Sequence, residues 1–230
     1  MKVGNMIIRH DVPDQSALVN EGDYPGIITF FNGDGAGTLI SPVWILTAAH
    51  TARNIPDHHT ISIANGNYTI EQVVPHPNFV GEEPGDVNDI ALVKLNSPVN
   101  YVATFDLYEG EGELGQEILL LGRGDYGNGQ IGTIGTDKKL RKATNLIDEV
   151  NEHWIKFRFD APPNCTSLEG VSGIGDSGSP ALIDEQGKLV IAGVSSWQDH
   201  EDEAYGLYEA VEYYTRVSQY VAWIRSVCEK

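Results

Sequence analysis

The sequence predicts an all-β domain closed by one C-terminal helix, and three observations lead there. Glycine and proline, 25 and 11 of the 230 residues, punctuate short apolar runs rather than long periodic ones. Those runs are rich in β-branched and aromatic residues, which suit a pleated, half-buried surface. Helical periodicity appears once, where Val217, Tyr220, Val221, Ile224 and Cys228 recur with Gln219, Arg225 and Glu229 on other faces. The spacing predicts a single amphipathic helix over 217–228. Strands at roughly 8–12-residue intervals before it suggest a barrel or sandwich.

The elements follow in order. Tyr24-Pro25-Gly26 reads as a turn feeding a strand to Phe31, and Asn32-Gly33-Asp34-Gly35 is a hairpin signal because these residues tolerate positive φ. A partner strand follows at 37–40. Further strands are expected at 43–47, 60–64, 68–75, 90–95, 117–122, 154–159, 180–183, 189–197 and 205–216. No internal repeat or flexible linker interrupts the series. With 41% hydrophobic residues the chain can bury one large core or two small ones.

Charge narrows the function classes. Fifteen Lys+Arg stand against 33 Asp+Glu, a formal net charge of −18. A nucleic-acid face needs clustered basic residues, so that class of partner is excluded. No stretch approaches the roughly 20 apolar residues of a membrane span, and the first six residues contain no apolar leader core. Cys165 and Cys228 permit one disulfide at most, so the fold rests mainly on its core.

Three short segments carry candidate chemistry: Leu46-Thr47-Ala48-Ala49-His50, Asp86-Val87-Asn88-Asp89-Ile90-Ala91-Leu92 and Gly175-Asp176-Ser177-Gly178-Ser179-Pro180. Each alone has a bland reading, as a core histidine, a strand-capping aspartate and a turn. Their order, His then Asp then Ser at wide spacing, resembles the trypsin/chymotrypsin-type serine proteases. The likeness extends to the strand pair 37–46, to Val73-Val74-Pro75-His76-Pro77-Asn78-Phe79, to Ser196-Trp197 and to Tyr214-Thr215-Arg216-Val217 with Trp223-Ile224, covering about residues 24 to 228.

The resemblance implies two antiparallel six-stranded Greek-key barrels with the active site between them and a helix at the end. It places one peptidase domain over 7–229, with barrel one about 20–108, barrel two about 115–216 and 1–6 as an N-terminal extension. It implies a serine endopeptidase acting on peptides or proteins as a monomer, secreted or periplasmic, with no cofactor and no metal. His50 would be the general base and then acid, Asp89 would orient its imidazole, and Ser177 would be the nucleophile. The amides of Gly175 and Ser177 would form the oxyanion hole.

Other positions are assigned by the same resemblance. Val171 falls at the floor of the substrate pocket, with Ser172, Ser196, Trp197, Gln198 and Glu212 on its walls. Val171 in place of an aspartate argues against a standard basic preference, whereas Glu212 in place of a glycine can supply a carboxylate from another strand. The balance favours cleavage after Arg or Lys, with Gln198 narrowing access; the alternative is that Glu212 points into solvent or plugs the pocket so that only small side chains fit. Glu82, Glu83, Asp86 and the run Asp199 to Glu203 would form an acidic rim that attracts cationic peptides. Asp176 is expected to pair with a cation, either the ammonium of a new N-terminus at Ile7 or the Arg9 side chain. Gly35, Thr51 and Gly173 stand where the family's disulfides would be, so Cys165 and Cys228 are expected to remain unpaired. The stretch from about 148 to 165 is short, as if a loop and helix were trimmed.

Several tempting features are read plainly: Arg123-Gly124-Asp125 as a turn, His58-His59 as a solvated loop and His76 as a packing residue. Two competing classes remain. A catalytically silent homologue acting as a binding module would keep the fold but usually lose a triad member. An esterase of another fold would need the order Ser, Asp, His and a Gly-x-Ser-x-Gly elbow, and the sequence has neither at this site.

Overall fold

A computed structural model describes residues 6–81, 83, 85–199 and 205–229. The first described element is strand β1 (Met6–Ile8). Then β2 (Ile27–Phe30), β3 (Gly35–Ser41), β4 (Trp44–Thr47), β5 (Thr60–Ile63), β6 (Gly66–Pro75) and β7 (Ala91–Leu95) form an antiparallel sheet ordered β2-β3-β4-β7-β6-β5. One short helix, α1 (Ala49–Ala52), follows β4. In β5, Ile61 and Ile63 point inward while Thr60 and Ser62 face water, the period of two that puts one strand face in a core. Ile28, Phe30, Leu39, Ile45, Ile70, Val93 and Leu95 complete that core.

The second half supplies β8 (Asp106–Leu107), β9 (Glu117–Gly122), β10 (Tyr126–Asn128), β11 (Gly132–Gly135), β12 (Arg141–Leu146), β13 (Glu149–Val150), β14 (Trp154–Arg158), β15 (Gly170–Val171), β16 (Pro180–Glu185), β17 (Lys188–Asp199) and β18 (Val211–Arg216). The second barrel-like sheet runs β12-β9-β16-β17-β18-β14-β13, with β8 pairing beside β17. Ile118, Leu120, Ile155, Phe157, Ala181 and Tyr214 fill it. A third apolar cluster joins the halves: Trp44, Leu46 and Leu92 meet Leu121, Leu182, Ile191 and Val194, and Val217, Tyr220 and Ile224 cover the seam. The all-β, two-barrel expectation therefore holds, and the cleft lies along that seam.

Three expectations need correction. The terminal helix is not continuous over 217–228: Val217–Gln219 form a 3₁₀ turn, Tyr220 breaks the geometry at φ −111°, and α2 (Val221–Cys228) follows. The reason is local anchoring, since Ser218 Oγ donates to Glu113 (2.8 Å), which the Arg216 guanidinium also grips. The strand expected over 205–216 begins only at Val211, because Gly206 and Glu209 adopt positive φ in turns before it. Met6 belongs to the folded domain rather than to an extension. It lies fully buried in β1, which pairs parallel to β10 and antiparallel to β15 in a four-stranded sheet. The hairpin expected at 32–35 is present: Phe30 pairs with Gly35, and Phe31, Asn32 and Gly33 take positive φ. Cys165 and Cys228 are free thiols.

Candidate active site

His50 reaches the cleft because β4 ends at Thr47 and the fully buried Ala48 and Ala49 turn the chain into α1. Small side chains are required there, since both pack into barrel-core clusters. Asp89 is nearly buried and receives His50 twice, from the backbone N–H to Oδ1 (2.8 Å) and from Nδ1 to Oδ2 (2.6 Å). A carboxylate only accepts, so the proton sits on Nδ1 and Nε2 is left with its lone pair toward the cleft. Ser196 Oγ donates to Asp89 Oδ2 at 2.5 Å, and Thr215 Oγ1 donates to the Asp89 carbonyl at 2.8 Å. Four contacts from three elements thus hold one carboxylate residue.

The Ser177 loop docks onto barrel one. Ala36 N–H donates to the Ser177 carbonyl (2.8 Å), and Gly178 N–H donates to the Ser195 carbonyl (2.9 Å). Gly178 sits at φ +86°, where a Cβ would lie 2.2 Å from the Ala36 carbonyl, so only glycine lets the loop approach this closely. Among the described residues the N–H groups of Gly175 and Ser177 have no partner, which leaves both available to an incoming oxygen. Ser177 Oγ makes no hydrogen bond with His50 Nε2, which lies 3.5 Å from Thr51 Oγ1.

Beside His50 opens a cavity of about 290 Å³ lined by Arg53, Phe79, Glu83, Asp86, Asp89 and Trp197. The Trp197 ring stacks on Tyr213, with centroids 4.0 Å apart and 20° between planes. Deeper along the same strand pair, Gln198 faces Glu212 in register. Glu212 is fully buried and accepts from Gln198 Nε2 (2.6 Å) and from Ser172 Oγ (2.8 and 3.0 Å to its two oxygens). Burial pushes its carboxyl up to about 8, against the opposing pull of those hydrogen bonds. Gln198 Oε1 in turn accepts from the Gly206 N–H at 2.9 Å.

A sequence profile described as Trypsin matches residues 15–224. The chain belongs to the trypsin family. It is similar to chicken (Gallus gallus) urokinase-type plasminogen activator, 29% identical over 83% of this chain and 50% of that protein. It is also similar to the thrombin-like enzyme cerastocytin of Cerastes cerastes, 27% identical over 92% of this chain and 85% of that one. Among solved structures, mouse neuropsin superposes with a TM-score of 0.75 at 19% identity, covering 92% of this chain and 98% of the other. The chain spans half or less of the length of the first curated relatives it matches.

Against this trypsin-family frame, His50 and Asp89 line the cavity with Ser196 and Trp197, and the Ser177 carbonyl accepts from the hydroxyl of Thr51, the residue after His50, at 3.4 Å. Ser172, Gln198 and Glu212 lie together behind Trp197 as one hydrogen-bonded group. Val171 does not face the pocket. It pairs with Ile7 in β15 and packs into the barrel-two core, so its side chain is spent on that sheet. Of the acidic rim, Glu83 and Asp86 line the cavity beside His50 and Asp199 is exposed, while Glu82 and 200–203 lie outside the described residues.

Among the described residues Asp176 forms no ion pair, and backbone donors hold it instead. Asp176 is fully buried and accepts from the N–H groups of Gly124 (2.6 Å) and Gly173 (2.9 Å). Arg9 is engaged elsewhere, with Asp11 (2.6 Å) and the Thr166 carbonyl (2.9 Å), and Ile7 lies inside β1. Burial pushes the Asp176 carboxyl up to about 6, because amides supply dipoles but no countercharge. A Cβ on Gly124 would meet the Asp176 carboxyl carbon at 2.7 Å, so this glycine makes room for it.

Sequence reasoning missed Thr215 as a holder of Asp89, Thr51 near Nε2, and Tyr205 and Gly206 around the buried carboxylate. Thr215 had a signal in its place one residue after Tyr214. The others depend on turns whose geometry no local pattern announces.

Proposed function

We propose that this chain is a serine endopeptidase. The observation that carries the reading is the His50–Asp89 pair, with Nδ1 committed to the carboxylate and Nε2 in a long contact with Thr51 Oγ1 (3.5 Å), beside a Ser177 loop that presents two unpartnered amides. In that arrangement Ser177 Oγ attacks the scissile carbonyl carbon as its proton passes to Nε2, and the oxyanion settles on the Gly175 and Ser177 amides. The C–N bond then breaks as Nε2 gives the proton to the leaving amine. Water, deprotonated by the same nitrogen, releases the acid. Asp89 stabilises the imidazolium throughout. Rotation of the Ser177 hydroxyl toward Nε2 on substrate binding is in keeping with the loose catalytic contacts of ligand-free sites.

The substrate class follows from charge. Glu212 is a carboxylate behind the cleft, Glu83 and Asp86 line the adjoining cavity, and the net charge of −18 draws cationic peptides. Cleavage after Arg or Lys is the preference this distribution supports, by a monomer working outside the cytoplasm.

The second reading is a silent homologue that binds peptides without cutting them, favoured by the missing contact between Ser177 Oγ and His50 Nε2. Labelling with a fluorophosphonate, followed by peptide mapping, separates the two. Adduct on Ser177 alone supports the endopeptidase; no adduct, or adduct elsewhere, leaves the binding module.

A further inference from the structure

We propose that Gln198 is a built-in occupant of the specificity pocket, holding at Glu212 the place that the cationic end of a substrate side chain takes. The inference deepens the endopeptidase reading and rests on it for the identity of the pocket. Gln198 lies on β17 two residues beyond Ser196, whose hydroxyl touches the triad carboxylate, so its strand borders the cleft. Its cross-strand partner in β18 is Glu212.

A glutamine side chain is ordinarily solvated, yet this one is 8% exposed with both ends satisfied. Its amide nitrogen donates to Glu212 Oε1 at 2.6 Å and its oxygen takes the Gly206 N–H at 2.9 Å. The carboxamide is a neutral copy of what an ammonium or guanidinium would present to that carboxylate: an N–H donor on a flexible stem. It supplies no countercharge, and Glu212 forms no ion pair among the described residues. A cation would bind there through charge-assisted hydrogen bonds, about twice as strong as neutral ones. The cavity beside His50 includes none of Ser172, Gln198 or Glu212 in its lining. The cation must therefore displace Gln198, which swings out about its side-chain torsions while Ser172 stays.

Displacement lowers apparent affinity by the fraction of time the pocket stands open, so a pocket open about one-tenth of the time binds about tenfold more weakly than its intrinsic affinity. The test uses benzamidinium, a flat aryl cation, titrated calorimetrically into the wild type, Gln198→Gly, Gln198→Ala and the double variant Gln198→Gly/Glu212→Gln. The expected result is at least about tenfold tighter binding in both single variants and loss of that gain in the double variant. Either single variant suffices if the other does not fold. Equal affinity in wild type and single variants, or a gain that survives Glu212→Gln, overturns the proposal. Binding needs no turnover, so the outcome is separable from catalysis: absence of fluorophosphonate adduct on Ser177 removes the endopeptidase reading and leaves the affinity comparison intact.

Discussion

Ser196 Oγ and Asp89 Oδ2 lie 2.5 Å apart across the seam between the two barrels. The contact exists because β17 and β18 slip register between Ser195 and Trp197, which leaves Ser196 as the extra residue of a bulge. A bulge re-aims a side chain beside a functional site. Here it turns a barrel-two hydroxyl onto a barrel-one carboxylate. Ser196→Ala should therefore lower kcat by about tenfold, the worth of one hydrogen bond to a charged group, with KM for short peptides little changed. Steady-state kinetics on one fluorogenic peptide would decide it, and an unchanged kcat would show that the contact is ornamental to the triad.

Asp89→Asn should cut turnover by about 10⁴-fold while the chain stays folded, because an amide would present the wrong group to Nδ1. Asp86→Asn should cost far less, since Asp86 lines the neighbouring cavity while Asp89 holds His50 Nδ1. Comparable losses at both positions would mean that the carboxylate assignment is wrong.

Arg9→Ala should leave activity within about twofold of wild type, in line with the small effect of most surface substitutions. Its guanidinium serves Asp11 and the Thr166 carbonyl, and Asp176 is held by backbone amides without it. Loss of activity in an intact, folded Arg9→Ala chain would restore the cation pairing that this geometry replaces.

Glu212 makes stability depend on pH with a defined sign. Its folded-state carboxyl titrates near 8, raised by burial, so between the ordinary carboxylate range and about 8 the folded chain holds a proton that the unfolded chain has lost. Unfolding therefore becomes easier as pH rises through that window and levels off above it. Glu212→Gln should show a smaller decline in Tm between pH 6.5 and 8 than the wild type; equal slopes would place the titration elsewhere. Asp176, titrating near 6, acts in the same direction but lower in the range.

The same proton couples to ligand. A cation that binds the ionised carboxylate must expel it, so benzamidinium affinity in Gln198→Gly should rise toward tenfold per pH unit up to about 8 and then flatten. Flat affinity over that range would show that Glu212 is already ionised in the open pocket.

Much of the site was legible because its residues lie in short, locally determined segments. The Ala48-Ala49-His50 turn and the Gly175-to-Gly178 loop use residue types that geometry restricts, and Gly178 shows why: the Ala36 carbonyl leaves no room for a Cβ. Alternation in β5 announced which face was core. What stayed hidden depends on register. Whether Gln198 faces Glu212 turns on a bulge one residue long, and a one-residue slip sends a side chain to the other face of a sheet. The resemblance puts Val171 at the pocket floor, but its pairing with Ile7 joins segments far apart in sequence, and nothing local encodes that. The break at Tyr220 likewise depends on Glu113, in another part of the chain.

The pairing of β1 also sets a timetable during synthesis. Ile7 leaves the ribosome long before its neighbours, Gly127 on one side and Val171 on the other. At about 5–20 residues per second, the second neighbour emerges on the order of ten seconds or more after the first strand. Until β10 emerges the apolar Met6-Ile7-Ile8 segment has no native sheet partner, while barrel one, whose sheet ends with β7, can already close. The nascent chain therefore carries an unpaired apolar segment beside a finished half-molecule. A holdase that shields it should raise the yield of folded protein more than any change within barrel one.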